Sequence, residues 1–330
     1  MNRYPILSLD GGGIRGYLSV LLLERLEKAR PGFLEHVELF AGTSTGSFIA
    51  LALAAGQPPS AIREMYEESG RYIFQDSRLD NLRDLGFALG AKYSNAHLRE
   101  ILTAQFGDSC LDDLPGKVLV ASFDLDHRPE EGDPARMWKA KFFHNFEGND
   151  SDGGEQVVDV ALRSSAAPFY FPSYQGYIDG FIVANNPSMC AVAQALRAGV
   201  AGVDEIVLLS VGTGLNPRYI DSRKGDWGWL RWFFQLHPLS RRWYGLPLIY
   251  MMWEGGVNLA SYQCAQLLDG RFHRLDPLLC ETVDIDEVRR MDYLKDVALS
   301  TDLDTTVRWL DDVFLPLPAA PRRSRSGKAL

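Results

Sequence analysis

Ser44 sits at the centre of Gly42-Thr43-Ser44-Thr45-Gly46, and Asp10-Gly11-Gly12-Gly13-Ile14-Arg15-Gly16 lies ahead of it. A small-residue turn with serine at its centre lifts a hydroxyl clear of the fold. A glycine-rich turn exposes backbone N–H groups that can hold an oxyanion or a phosphate. Together they supply a nucleophile and an anion cradle, two parts of acyl-transfer chemistry. Taken alone, the serine pattern also fits an ordinary helix N-cap. Its place after an apolar strand and before an apolar helix is the context the nucleophile requires.

A serine nucleophile needs a base. The six histidines are His36, His97, His127, His144, His237 and His273, and none sits in a turn with site character. A Ser…Asp…His triad could draw on His237 or His273, but folds that use that order place several strands before the nucleophile. Only one strand precedes the one that leads to Ser44. Asp179, in Gln175-Gly176-Tyr177-Ile178-Asp179-Gly180, is the better candidate. Asp-Gly is most often a plain turn. A free aspartate is also a poor base, with a pKa near ~3.9. Burial raises that value, and a hydrogen bond to Ser44 would orient the hydroxyl.

The glycine turn has competing readings. Gly11, Gly13 and Gly16 satisfy GxGxxG after a strand, the dinucleotide fingerprint. That use needs an acid at the end of the second strand, where the chain has Ala41-Gly42-Thr43-Ser44 and Glu38 falls too early. No Gly-Lys-Ser/Thr follows, which disfavours a phosphate-binding P-loop. An oxyanion hole fits better than a cofactor site, and neither a cofactor nor a metal is expected.

These turns need elements to hold them. Tyr4–Leu9 and Val37–Ala41 read as buried strands, and Tyr17–Arg30 and Ser47–Ala55 as the helices after them. This β-turn-α-β-turn-α order predicts a parallel sheet with a right-handed crossover, and both special turns at the carboxyl ends of strands. Further helices are expected at 60–74, 95–106, 157–164 and 187–198, and strands at 117–123, 137–143, 176–179 and 205–211. The last strand closes on Gly212-Thr213-Gly214. Residues 75–94 are less regular and suit a cap or lid, and 284–314 read as terminal helices. No repeat and no clear linker divides the chain. The expected division is a catalytic domain over 1–215, a helical, aromatic-rich C-terminal extension over 216–318 packed on it, and a disordered basic tail over 319–330.

Composition narrows the class. The 330 residues are 46% hydrophobic and 23% charged, with a net charge of −9. Such a chain is globular and its bulk surface does not seek nucleic acid. Cys110, Cys190, Cys264 and Cys280 form no metal spacing and read as reduced, mostly buried thiols. The chain shows no signal-peptide pattern and no run of about 18 apolar residues. A cytoplasmic protein is expected, with peripheral membrane association. Residues 223–253 hold many Trp, Tyr and Phe beside Arg223, Lys224, Arg231, Arg241 and Arg242. Such rings either pack an extension on the core or meet a bilayer interface.

The two turns, Asp179-Gly180, Ser164-Ser165-Ala166-Ala167-Pro168, Tyr170-Phe171-Pro172, Ala184-Asn185-Asn186-Pro187 and Ser210-Val211-Gly212-Thr213-Gly214 occur in one order along residues 4–215. This pattern resembles the patatin-like phospholipases. The resemblance implies a three-layer α/β fold with a central, mainly parallel sheet and helices on both faces. It also implies a Ser44–Asp179 dyad and an oxyanion hole from the amides of Gly11, Gly12 and Gly13. Arg15, Gly16, Gly42, Gly46 and Gly180 would support these turns. The implied substrate is a fatty acyl ester of a membrane phospholipid or related lipid, reached through an apolar channel. The layout also resembles patatin-like effectors of antiviral signalling that a cyclic nucleotide activates, although no nucleotide motif carries that likeness. Two departures from the family pattern are Phe181 after Asp179-Gly180 and Ser47 after the serine turn. Phe181 keeps a second reading open, a non-catalytic lipid- or nucleotide-binding protein on the same scaffold. A dinucleotide-binding oxidoreductase is the third.

Overall fold

A computed structural model describes residues 3–73, 91–128, 134–220, 225, 228–229, 232, 234–236, 243–245 and 247–315. Much of the aromatic stretch, most of 75–94 and the basic tail lie outside the described residues. Strands β1 (Tyr4–Leu9), β2 (Leu39–Thr43), β3 (Lys117–His127), β4 (Met137–His144), β5 (Tyr177–Asp179) and β6 (Ile206–Val211) carry the sheet. Phe234–Leu236 (β7) and Trp243–Gly245 (β8) form a separate antiparallel ribbon. Phe272–Leu275 (β9) completes the main sheet, whose order is β4-β3-β2-β1-β6-β9, with β5 on β3.

The core of this sheet is parallel, and β4 and β5 run antiparallel to β3. Its central strands are nearly continuous apolar runs because both faces are covered. Leu7, Leu9, Phe40, Val118, Val120, Val207 and Leu209 turn to one face, and Ile6, Leu39, Ala41, Leu119, Ile206 and Leu208 to the other. This period of two follows from the pleat. The first face is covered by α1 (Gly16–Ala29), α2 (Thr45–Ala54), α3 (Pro59–Ile73), α4 (Asn95–Phe106), α5 (Val157–Ser165), α9 (Met291–Ser300) and α10 (Asp304–Trp309). After β5 comes the short α6 (Phe181–Ala184). The second face is covered by α7 (Ser188–Arg197) and the end of α8 (Pro247–Leu268). The fold is thus the expected three layers.

Register places the site. Leu9 pairs with both Gly42 and Val211, Thr43 with Ala121, and Val211 with Leu275. The turns that follow β1, β2, β6 and β9 therefore open at one level, at the carboxyl end of the sheet, where parallel α/β folds carry their sites. The expected helical extension includes α8, a helix of 22 residues. Three expectations change. The C-terminal part contributes β9. Residues 284–287 precede the terminal helices as a loop against the glycine turn, since Ile14 N–H donates to the Ile285 carbonyl at 2.8 Å. The cysteines are free, but only Cys264 is fully buried and Cys280 is exposed.

Candidate active site

Ser44 adopts φ 53° and ψ −124° between β2 and α2. A residue with a side chain rarely holds a positive φ, and here the strain lifts the hydroxyl out of a sharp strand-to-helix turn. Close neighbours demand the small residues around it. A Cβ on Gly42 would lie 2.3 Å from the Gly46 carbonyl, and one on Gly46 would lie 2.3 Å from that of Leu9. The Ser47 hydroxyl donates to the Ser44 carbonyl at 2.6 Å, so its departure from the family pattern tightens the turn.

Asp179 is buried at the end of β5, with the Ser44 side chain close enough to lower its carboxyl pKa. The Phe181 amide donates to Asp179 Oδ1 at 2.9 Å. Loss of hydration in the buried site pushes the carboxyl pKa up to about 7, against the lowering effect of the Ser44 side chain and the Phe181 amide. A carboxylate so placed titrates near neutrality, where a general base works best. Gly180 sits against the Ala121 carbonyl, 2.3 Å from where its Cβ would be. Phe181 turns its ring toward Trp253, with centroids 5.3 Å apart.

Ser164 joins the two halves. Its hydroxyl accepts the Ser44 amide at 2.9 Å and donates to the Ala121 carbonyl at 2.7 Å. Its carbonyl accepts the Gly180 amide at 3.2 Å.

The three glycine amides are not equivalent. Gly11 N–H donates to the Asn185 carbonyl at 3.0 Å, because the chain after α6 passes beside it, so this amide is engaged rather than free as expected. The Gly12 and Gly13 amides make no hydrogen bond among the described residues. Gly13 has φ +58° and lies against Ile285, so both its conformation and its surroundings exclude a side chain. Arg15 is buried and donates from Nη1 to the Gly214 carbonyl at 3.0 Å, tying this turn to the one after β6. Gly16 lets α1 approach Thr45 and Tyr66, whose hydroxyls are hydrogen bonded to each other.

Beneath the turn lies a cluster that the sequence did not single out. Arg274 donates to both oxygens of Asp10 at 2.8 and 2.6 Å and to Asp276 at 2.7 Å. Burial pushes the Asp10 carboxyl up and Arg274 pulls it down. Asp276 in turn accepts the Gly214 amide at 2.8 Å. Nothing local distinguishes Arg274 from a surface arginine, and only the pairing of β9 with β6 brings it here.

Ser44 and Gly13 share the wall of an apolar cavity lined by Ile14, Phe48, Met65, Ile73, Leu98 and Leu102 among others. An apolar lining thus lies beside Ser44, on the side where an acyl channel is expected. A second hollow lies on the Arg15 and Asn185 side of the turn and is lined by Asp10, Arg218, Glu254 and Asp276 as well. None of the described histidines lines either hollow. His273 contacts the Thr306 hydroxyl at 2.8 Å and stacks on Trp309, and His237 lies outside the described residues. No group of metal-ligating side chains occurs among the described residues.

Residues 7–192 match the model of the patatin-like phospholipase family. The chain belongs to that family. It is a hydrolase of the patatin-like class, with the mixed α/β fold the family implies. It is 33% identical over 297 residues to CotR of Bacillus subtilis (strain 168), covering 84% of this chain and 88% of that one. It is 35% identical over 217 residues to a cGAMP-activated phospholipase of Pseudomonas aeruginosa, covering 64% of this chain and 62% of that one. A cGAMP-activated phospholipase of Vibrio cholerae is 30% identical over 260 residues, with 69% and 70% covered. No helix among the described residues is long and apolar enough to cross a membrane.

Proposed function

We propose that this patatin-like chain is a serine lipid acyl hydrolase that cleaves fatty acyl esters of phospholipids or lysophospholipids through Ser44 and Asp179. The observation that carries the reading is the approach of the buried Asp179 carboxylate to Ser44, whose strained turn opens on an apolar cavity. Ser44 Oγ attacks the acyl carbonyl while Asp179 takes its proton. The tetrahedral oxyanion is held by the amides of Gly12 and Gly13. Collapse of the intermediate expels the alcohol, which receives the proton from Asp179, and leaves an acyl-serine. Water then attacks that ester with Asp179 as base, releasing the fatty acid and restoring Ser44.

The experiment is fluorophosphonate labelling and lipid hydrolysis by the parent, Ser44→Ala and Asp179→Asn proteins. Labelling and fatty acid release should occur in the parent and disappear in Ser44→Ala, while a folded Ser44→Ala protein that still releases fatty acid refutes the assignment. An unlabelled parent that binds lipid favours the non-catalytic scaffold, and one that binds a nicotinamide dinucleotide favours the oxidoreductase.

Activation by a cyclic nucleotide, in the manner of antiviral effectors, is a finer reading. The two relatives named cGAMP-activated phospholipases support it. Fatty acid release measured with and without cyclic dinucleotides tests it, and equal rates count against a switch.

A further inference from the structure

The carboxyl end of the sheet, where Ser44 opens, carries large apolar side chains on three uncharged stretches and one overhanging hairpin. Residues 166–174, 181–184 and 247–253 contain no charged residue, in a chain that is 23% charged. They expose Phe169, Ile182, Val183, Met251 and Met252, with Phe169 54% and Met252 67% accessible. These stretches meet one another: Tyr170 lies close to Tyr250, and Phe181 packs on Trp253. The first also reaches the cavity, because Ala167 and Phe171 line it beside Ser44. On the other flank, β3 runs on past Ala121, the partner of Thr43, and pairs its end with the start of β4. There Trp138 is 77% accessible.

From this continuity we infer that the face is a docking surface for a zwitterionic lipid interface, with these side chains dipping among the acyl chains around the site mouth. The inference rests on the acyl-hydrolase reading and names the surface that reading leaves open. Two features select this occupant. The patch runs into the cavity that holds Ser44, so among the described residues an apolar path leads from the surface to that serine. A second copy of the chain on the same patch would instead cover the mouth. Among the described residues near the mouth, Lys92 pairs with Asp286 and Arg218 with Asp284. A net charge of −9 works against an anionic surface as well. Apolar insertion therefore supplies the binding energy.

The test uses the full chain with Met252→Glu, Met252→Lys and Trp138→Glu, all at exposed positions. Binding is read by flotation with phosphatidylcholine vesicles, on a Ser44→Ala background so that the lipid is not consumed. Turnover is read in the active background on the same vesicles and on a water-soluble short-chain ester. Each substitution should weaken vesicle binding by roughly tenfold or more, from lost burial of one large apolar side chain. It should lower vesicle turnover in step and leave soluble-ester turnover and thermal melting unchanged. Added salt should not release the parent from the vesicles. The inference is overturned if the variants bind and hydrolyse vesicles like the parent. It is equally overturned if binding needs phosphatidylserine and is lost in high salt, or if the substitutions split a dimer on gel filtration and leave vesicle binding intact. Failure of the parent to hydrolyse the soluble ester would instead count against the acyl-hydrolase reading.

Discussion

The backbone amide of Ser44 donates to the hydroxyl of Ser164 at 2.9 Å. The Ser44 amide is thereby committed to the fold, and the end of α5 fixes the turn that presents the hydroxyl. The Ser164 carbonyl fixes the turn after Asp179 through Gly180. One residue thus sets the separation of two groups that are distant in sequence.

Ser164→Ala should uncouple them. The Ser44 amide and the Ala121 carbonyl would each lose a partner, at a cost of about 1–3 kcal/mol in stability. Denaturant unfolding reads that cost. In steady-state kinetics kcat should fall more than KM rises, because the apolar cavity is untouched.

Gly12→Ala should damage the anion cradle with little harm to the fold. The new methyl would meet Thr213 Oγ1 at 2.4 Å, and relief requires the turn to shift. Loss of one donor costs ~10²–10³ in kcat. Gly154→Ala is the control, since its methyl would meet no atom within 4 Å. Equal rates for the two variants would remove Gly12 from the proposed hole.

Asp179 links activity and stability to pH in opposite directions. The base must be ionised, so kcat/KM should rise as pH passes through about 7 rather than near the usual carboxylate range. The folded pKa is raised, so the native state binds this proton more tightly than the unfolded chain does. The resulting stability is fully present below about pH 4 and is lost as pH rises through the folded value. Asp179→Asn should therefore melt higher than the parent above neutrality and match it in acid. The amide retains an oxygen for the Phe181 N–H. An Asn variant no more stable than the parent at alkaline pH would show that the carboxylate is not strained by burial.

Arg274→Met should leave Asp10 and Asp276 buried without their cation. Removing one partner of such a cluster costs about 3–5 kcal/mol. Adding Asp10→Asn should recover part of the loss, because the polar group left behind is neutral. Paired melts of the single and double variants would measure the recovery.

Local pattern was enough to read the two turns that frame the candidate site. A glycine turn and a serine turn, each after an apolar run, announce themselves because backbone approach permits no larger residue at Gly42 or Gly46. The parallel sheet followed from strand-helix alternation. What stayed hidden depends on register and long-range pairing. Arg274 reaches Asp10 only because β9 lies beside β6, and the Gly11 amide is occupied only because the segment at Asn185 passes next to it. The 284–287 loop looked like part of a helix, since its contact with Gly13 and Ile14 is tertiary. α8 was obscured by its aromatic residues, which carry no clear period.

The family match ends at residue 192, yet the sheet does not. β6 and β9 lie beyond that limit, and β9 delivers the guanidinium under the glycine turn. A fragment trimmed to the match would leave one flank of β1 unpaired and Asp10 without its counter-ion. Engineers seeking a minimal version of this enzyme should therefore shorten its loops and keep both sequence halves.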